Sequence, residues 1–101
     1  MNLPLIVNPE AEADIAEAKA WYDAQRPGLG DDLLDRIREV MNLVQRQPLL
    51  HGKVFQDLRL VLVERFPYAV VYRIDDDQIT VVAIFHTRRD PNHWKSRSLN
   101  L

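Results

Sequence analysis

Three strand-like runs in the second half of the chain constrain its fold more than any other feature. Residues 58–65 alternate in polarity, and residues 69–74 and 78–86 are rich in β-branched and aromatic side chains. The links between them, residues 66–68 and 75–77, are too short to hold a helix, and proline and aspartates favour turns there. The sequence therefore predicts an antiparallel β-meander.

The last of these strands has apolar residues on both faces. A period of two predicts one face made of Gln78, Thr80, Val82, Ile84 and His86, and a second face made of Ile79, Val81, Ala83 and Phe85. Because a strand with one solvated face would alternate cleanly, we predict that this strand is central and covered on both sides.

The first half of the chain predicts a short strand and two helices. Residues 3–7 are apolar and contain Pro4, which suits an edge strand. Asn8 and Pro9 then resemble a helix start, and a proline-glycine turn at residues 26–30 separates this helix from a second one that opens at Asp31. The predicted fold is α+β, with an N-terminal strand, an antiparallel helical hairpin and an antiparallel meander in one small sheet, forming two layers.

Composition limits the functional classes. With 101 residues we expect a single domain over residues 1–101, and 28% charged residues indicate an ordinary globular chain. The chain has no cysteine and no apparent secretory leader, so we expect a cytoplasmic protein. No phosphate-binding glycine loop, serine elbow or zinc-ligand spacing occurs, and His51 and His93 form no metal constellation with carboxylates, so we expect neither cofactor nor metal.

Charge is distributed unevenly along the chain. The net charge is −2, which argues against a protein that binds nucleic acid with its whole surface. Residues 1–50 carry most of the acidic side chains, and the sheet and C-terminal segment carry most of the basic ones. After the last strand, residues 87–97 are polar and basic with one large aromatic, and we predict that this segment carries function.

Six residues are candidates for function, and each also has a structural explanation. His86 is a candidate general base, or a histidine bonded to the adjoining backbone. Arg88 and Arg89 are candidates for an intermolecular contact, or for ion pairs with Asp90 or the aspartate turn. By strand parity Arg59 and Arg65 share a face, where they could flank a groove or pair with carboxylates. The sixth candidate is Trp94.

Several short motifs, in this order and spacing, resemble the RelE/ParE superfamily of type II toxin-antitoxin toxins, and in particular its ParE-like, plasmid-stabilisation branch. The resemblance covers nearly the whole chain. The motifs are Pro9-Glu10-Ala11 with Asp14-Ile15, Trp21-Tyr22, Pro27-Gly28-Leu29-Gly30 with Leu33, Pro48, Arg65-Phe66-Pro67-Tyr68, Val71-Tyr72, and His86-Thr87-Arg88-Arg89-Asp90-Pro91 with Trp94.

The superfamily holds two kinds of toxin on one fold, so the resemblance implies a short list of activities. RelE-like toxins cleave mRNA on the ribosome, and ParE-like toxins block DNA gyrase. If this chain were a nuclease, the resemblance would make His86 and Arg88 catalytic. However, Ala69 stands where RelE-like toxins tend to carry an arginine, and Trp94 stands where they carry a tyrosine. An incomplete nuclease set favours a ParE-like inhibitor, with Arg59, Arg65, Arg88, Arg89 and Trp94 binding the target.

The resemblance also implies a partner. A cognate antitoxin would neutralise the toxin by wrapping its C-terminal segment around it, and an acidic or apolar peptide suits the basic residues and the sheet edge predicted here. We expect no membrane contact and no direct DNA binding by the chain alone. A homodimer or a toxin-antitoxin hetero-oligomer is possible, and so is a third activity, that of a non-toxic module that only binds the antitoxin.

Overall fold

The chain forms a helical hairpin packed on a five-stranded sheet in a computed structural model, which describes residues 2–89 and 93–99. This is the predicted α+β architecture. In chain order the elements are β1 (Leu5–Val7), α1 (Pro9–Gln25), α2 (Leu29–Arg46), β2 (Lys53–Phe55), β3 (Leu58–Leu62), β4 (Tyr68–Asp75), β5 (Gln78–His86) and a C-terminal 3-10 helix (His93–Leu99).

The two helices begin where the sequence places proline and glycine. Asn8 precedes α1 with an extended backbone and Pro9 occupies the first turn, although the Asn8 side chain makes no capping hydrogen bond. Gly28 has φ +89°, a left-handed conformation that glycine adopts without strain, so the hairpin turns tightly there. As a result α2 begins at Leu29, two residues before the predicted start. The Gly30 N–H then donates to Oδ1 of Asp23 at 2.7 Å, which ties the start of α2 to the end of α1.

The sheet has the order β1-β5-β4-β3-β2. The meander prediction is confirmed, because β2 with β3, β3 with β4 and β4 with β5 are all antiparallel pairs. β1 lies at one edge, as predicted, but it begins at Leu5, after Pro4. It runs parallel to β5 with Leu5 beside Ile79 and Val7 beside Val81. None of the helices in the described parts of the chain is long and apolar enough to cross a membrane.

A β-bulge in β5 overturns the predicted assignment of its faces. Val71 of β4 pairs with Ala83 and Tyr72 pairs with Val81, so Val82 is an extra residue without a partner on β4. The extra residue reverses the alternation beyond it. Ile84 consequently packs with Ile79 and Val81 in the core on the helix side of the sheet. Val82 packs with Ala83 and Phe85 in the core on the opposite side.

Both faces of the sheet are covered, as predicted for β5, where every residue but the first and last is buried. The helical hairpin covers one face through Ala11, Ala18, Leu33, Ile37, Val40 and Val44. On the other face the C-terminal 3-10 helix inserts Trp94 against Phe85 and Phe55, with ring centroids 5.6 Å and 6.3 Å apart. This second cover makes the C-terminal segment part of the folded unit.

Candidate target-binding surface

One end of the sheet gathers most of the predicted functional side chains. β5 ends at His86, which lies beside Tyr68 at the start of β4. The Thr87 N–H donates to the carbonyl oxygen of Pro67 at 2.8 Å, so the turn before β4 and the turn after β5 are joined. Arg65 lies in the first turn, and Arg88 and Arg89 lie in the second. We call the side chains of Arg65, Arg88 and Arg89 the arginine end.

Arg89 bridges β4 and α1. Its Nη2 donates to Oη of Tyr68 at 3.0 Å, and its guanidinium lies over the Trp21 ring, 5.4 Å from the centroid. Burial raises the pKa of the Tyr68 hydroxyl, and the positive charge of Arg89 opposes that rise. Among the described residues, a phenol and an indole therefore hold the side chain of Arg89.

His86 accepts hydrogen bonds from the turn that follows it. The backbone N–H groups of Arg88 and Arg89 lie 3.1 Å and 3.2 Å from its Nδ1. Because Nδ1 can accept only when it carries no proton, the neutral ring holds its proton on Nε2. His86 also packs edge-on against Tyr68, with ring centroids 5.2 Å apart. This arrangement matches the structural explanation of His86, since the nitrogen that carries a lone pair is already engaged.

The side chain of Arg88 has no partner among the described residues. Its side chain is exposed. Within residues 2–89 and 93–99 its guanidinium has no hydrogen bond and no ion pair, and the aspartate turn at residues 75–77 does not reach it. The other suggested partner, Asp90, lies outside the described residues. Among the described residues, Arg88 therefore presents a positive charge without an ion-pair partner, from a turn whose backbone is held by His86.

Arg65 lies at the same end, but its predicted position on a strand was wrong. β3 ends at Leu62, and Arg65 sits in the following turn with φ +72°. The parity argument that placed Arg65 on one face with Arg59 therefore does not apply, because alternation requires a continuous strand. Arg65 is exposed and faces the acidic side of α2, where Asp32, Asp35 and Glu39 line the same cleft.

Arg59 lies away from the arginine end. It pairs with Tyr72 in the middle of the sheet, and its Nη1 donates to the carbonyl oxygen of His51 at 2.6 Å. Tyr72 in turn donates from its hydroxyl to the carbonyl oxygen of Pro48 at 2.8 Å. The two side chains hold the loop between α2 and β2 against the sheet, so the contacts of Arg59 are those of a structural residue. Its predicted role in target binding stays a prediction.

Trp94 is enclosed by the fold. Only 4% of its surface is exposed, and its ring stacks on Phe85. A direct contact between Trp94 and a target, which remains a prediction, would require the C-terminal 3-10 helix to leave the sheet. In the described conformation Trp94 acts as an apolar anchor for that helix.

A small cavity beside the arginine end contains residues that the sequence did not single out. It has a volume of about 140 Å³ and lies between α1 and the end of β5. Trp21 is 46% exposed at its rim. The signal in the sequence was the helical spacing of Asp14, Glu17 and Trp21, which places them on one side of α1. The lining residues are Asp14, Glu17, Ala18, Trp21, Tyr68, Ile84, Phe85, His86 and Arg89.

The arrangement offers little acid-base chemistry. Ala69 is fully buried in the sheet, and the indole N–H of Trp94 is too weak an acid to protonate a leaving oxygen. In the part of the chain that the structure describes, no group of three His, Cys, Asp or Glu side chains could hold a metal ion. The side chain of His93 lies outside that part. What the site can supply is positive charge, aromatic surface and a preorganised turn.

Comparisons with known proteins match this architecture. The family model described as ParE toxin of type II toxin-antitoxin system, parDE, matches residues 5–91. Toxin ParE2 of Mycobacterium tuberculosis, in strains H37Rv and CDC 1551, is 28% identical over 93 residues, which cover 91% of this chain and 89% of the relative.

Two solved structures share the fold. The chromosomal ParDE toxin-antitoxin system from P. aeruginosa superposes with a TM-score of 0.73 at 19% identity, covering 83% of this chain and 95% of that one. A free, arginine-substituted mutant of E. coli toxin RelE superposes with a TM-score of 0.74 at 13% identity, covering 99% and 97%. At these identities the likeness concerns the fold alone.

Proposed function

Since this chain belongs to the ParE toxin family of type II toxin-antitoxin systems, we propose that it inhibits growth by binding DNA gyrase through its arginine end. A cognate antitoxin would neutralise it. The gyrase target comes from the resemblance to ParE-like toxins, and the site comes from the geometry of this chain. Because the target is intracellular, we propose that the toxin acts in the cytoplasm.

The observation that supports this proposal most directly is the state of Arg88. An exposed guanidinium without an anionic partner among the described residues keeps its full capacity for a charge-assisted hydrogen bond to a target carboxylate. Arg89 and His86 hold the neighbouring backbone, which limits the entropy lost when Arg88 is fixed in a complex. A preorganised cation of this kind suits protein recognition.

The nuclease alternative receives less support from the same residues. Cleavage of RNA requires a base near the 2′-hydroxyl and an acid near the leaving oxygen. His86 Nδ1 is occupied by backbone N–H groups, and the two positions where RelE-like toxins tend to carry further polar groups hold the buried Ala69 and Trp94. With Nδ1 of His86 engaged and no titratable side chain at those two positions, the residues suit binding better than catalysis.

An antitoxin would find apolar surface as well as charge. Leu49, Leu50 and Val54 are more than half exposed near the β2 edge of the sheet, and Leu62 is exposed on β3. Exposed apolar side chains next to a strand edge can accept a peptide that adds a strand or packs a helix. We propose that the antitoxin covers this surface in a toxin-antitoxin hetero-oligomer, and that the uncovered toxin could pair with itself.

The test is a charge reversal with a matched control. Arg88→Glu and Arg38→Glu make the same change of charge, but Arg38 lies on the outer face of α2, where it pairs with exposed Asp35. When expression is induced in bacteria, we expect the wild-type chain and Arg38→Glu to arrest growth, with loss of DNA supercoiling and with intact mRNA. We expect Arg88→Glu not to arrest growth. Equal activity of both variants would remove the arginine end from the site, and rapid mRNA cleavage would replace gyrase binding with the nuclease activity.

A further inference from the structure

The turn after β5 depends on the protonation state of one imidazole. His86 Nδ1 accepts both the Arg88 N–H and the Arg89 N–H, at 3.1 Å and 3.2 Å. Two successive N–H groups that converge on one acceptor form a small concave site of the kind that usually holds an anion. Here Nδ1 of His86 occupies that site and accepts both hydrogen bonds through its lone pair.

These bonds fix the segment that carries the arginine end. The Thr87 N–H and its hydroxyl both donate to the carbonyl oxygen of Pro67, at 2.8 Å and 3.2 Å, which holds the start of the turn. Arg89 is held by Tyr68 and Trp21, which fixes its far side. Between these anchors, the His86 bonds are the contacts that set the backbone direction at Arg88.

We propose that His86 is a positioning residue that aims Arg88 at the target through its unprotonated Nδ1, and that protonation of His86 weakens target binding. The inference rests on the proposed function, because it takes Arg88 as a target-binding residue. It assigns His86 a role different from that of a general base: Nδ1 holds the turn and transfers no proton.

The charges around His86 determine the direction of the pH effect. Glu17 and Asp14 face it from α1 across the cavity, Tyr68 faces it from β4, and Arg88 and Arg89 follow it in the turn. Among the described residues that line the cavity, Asp14 is already engaged by Arg97 at 2.6 Å, and Glu17 is the second carboxylate that faces the ring.

A proton on Nδ1 would replace the acceptor of two hydrogen bonds with a donor and place a third positive charge beside two arginines. The loss of the two hydrogen bonds to Nδ1 releases the backbone of the turn, and the repulsion pushes the guanidinium groups away from the ring. Target binding is therefore full when His86 is neutral and falls as the pH drops through the range where histidine takes up a proton.

Asparagine and glutamine at position 86 separate this role from the alternatives. The Oδ1 of asparagine occupies the place of Nδ1 and accepts the same hydrogen bonds, but it does not titrate. Glutamine places its polar group near Nε2, beyond reach of the turn. His86→Asn should retain gyrase inhibition within about twofold, and His86→Gln should lose roughly tenfold, the effect of losing one or two backbone hydrogen bonds.

Two readouts test the inference on purified proteins. Inhibition of gyrase supercoiling by the wild-type chain should weaken between about pH 7.5 and about pH 5.5, and the asparagine variant should show little change beyond that of gyrase itself. Amide hydrogen exchange at Arg88 and Arg89 should be slow in the wild-type chain and in His86→Asn, and fast in His86→Gln.

A double variant tests whether His86 acts through Arg88. The variant with both His86→Gln and Arg88→Ala should inhibit gyrase no more weakly than Arg88→Ala alone.

The exchange measurement needs no target, so it stands if the gyrase proposal fails. Fast exchange of both amides in the wild-type chain, or equal protection in the asparagine and glutamine variants, would overturn the positioning role. The positioning role would also be overturned if the amides exchanged as predicted but His86→Asn and His86→Gln inhibited gyrase equally, because the turn would then not control Arg88. Failure of the wild-type chain to inhibit gyrase at any pH would contradict the proposed function instead.

Discussion

Two side chains complete the part of the β5 edge that β1 leaves open. β1 pairs only as far as Val81, and beyond it Oδ2 of Asp14 accepts the Ile84 N–H at 3.0 Å. Arg97 donates to the carbonyl oxygen of Val82 at 3.0 Å and pairs with Asp14 at 2.6 Å. The hydrogen bond to Asp14 raises the pKa of Arg97 further above its ordinary value. The C-terminal segment is thereby tied to α1 and to the sheet edge.

This ion pair should contribute strongly to stability. The Asp14 and Arg97 side chains are only 16% and 14% exposed, so removing one partner leaves a partly buried charge and an unpaired N–H. We expect Asp14→Ala to lower the free energy of unfolding by about 3 kcal/mol. Asp35→Ala is the control, since Asp35 forms an exposed pair with Arg38 and should change little. Urea unfolding measures both, and similar losses in the two variants would contradict the account.

Buried phenols predict an alkaline loss of stability. Burial raises the pKa of the Tyr72 hydroxyl above its ordinary value of 10.0, with the Arg59 charge opposing the rise. The folded chain therefore binds the hydroxyl proton more tightly than the unfolded chain does. The contribution of this proton to folding stability is complete below the ordinary pKa of tyrosine, and it is lost as the pH rises through the raised pKa of Tyr72. Burial raises the pKa of Tyr22 and Tyr68 in the same direction.

The measurement is urea unfolding from about pH 8 to about pH 11, where tyrosine begins to ionise. Wild-type stability should fall steadily at the alkaline end. Tyr72→Phe loses the hydrogen bond to Pro48, about 1 kcal/mol at neutral pH, but its alkaline decline should be shallower than that of the wild type. An unchanged slope would show that Tyr72 does not carry this dependence.

At the scale of elements, the helical hairpin depends on close approach at Gly30. A Cβ at that position would lie 2.6 Å from Oδ1 of Asp23 and 2.6 Å from the backbone carbonyl oxygen of Lys19. Alanine is normally the better helix former by about 1 kcal/mol, but a backbone atom cannot move aside as a flexible side chain can.

Gly30→Ala should therefore destabilise the chain by about 1 to 3 kcal/mol. Gly52→Ala is the matched control, because a Cβ there meets nothing within 4 Å. Thermal or urea unfolding of the pair tests the packing of α1 on α2. If Gly30→Ala proved as stable as Gly52→Ala, the two helices would have to lie farther apart at this point.

The sequence predicted the elements better than their local geometry. Hydrophobic periodicity and turn residues were sufficient for both helices, the meander and the edge position of β1, because these depend on composition averaged over many residues. The bulge at Val82 was not predictable, since Val82 is an ordinary strand residue and the irregularity arises from pairing with β4. The left-handed turn at Arg65 was missed for a similar reason: it is a non-glycine residue with positive φ.

At the scale of the whole molecule, the uneven charge of the sequence becomes a spatial arrangement. The basic second half folds so that Arg65, Arg88 and Arg89 lie in the two turns at one end of the sheet, which are joined at Pro67 and Thr87. Sequence reasoning identified these three residues, but strand parity wrongly grouped Arg65 with Arg59. It also could not show that the Trp94 ring is enclosed, because burial of an aromatic side chain depends on tertiary packing.

The measurement that tests the central claim most directly is gyrase supercoiling with purified components. Purified chain is titrated against DNA gyrase and relaxed plasmid, with Arg88→Glu and Arg38→Glu in parallel and with ribosome-bound mRNA in a separate reaction. We predict that the wild-type chain and Arg38→Glu inhibit supercoiling and that the mRNA stays intact. Arg88→Glu should inhibit roughly tenfold more weakly, as expected for the loss of a charge-assisted contact. Normal supercoiling together with cleaved mRNA would contradict these predictions.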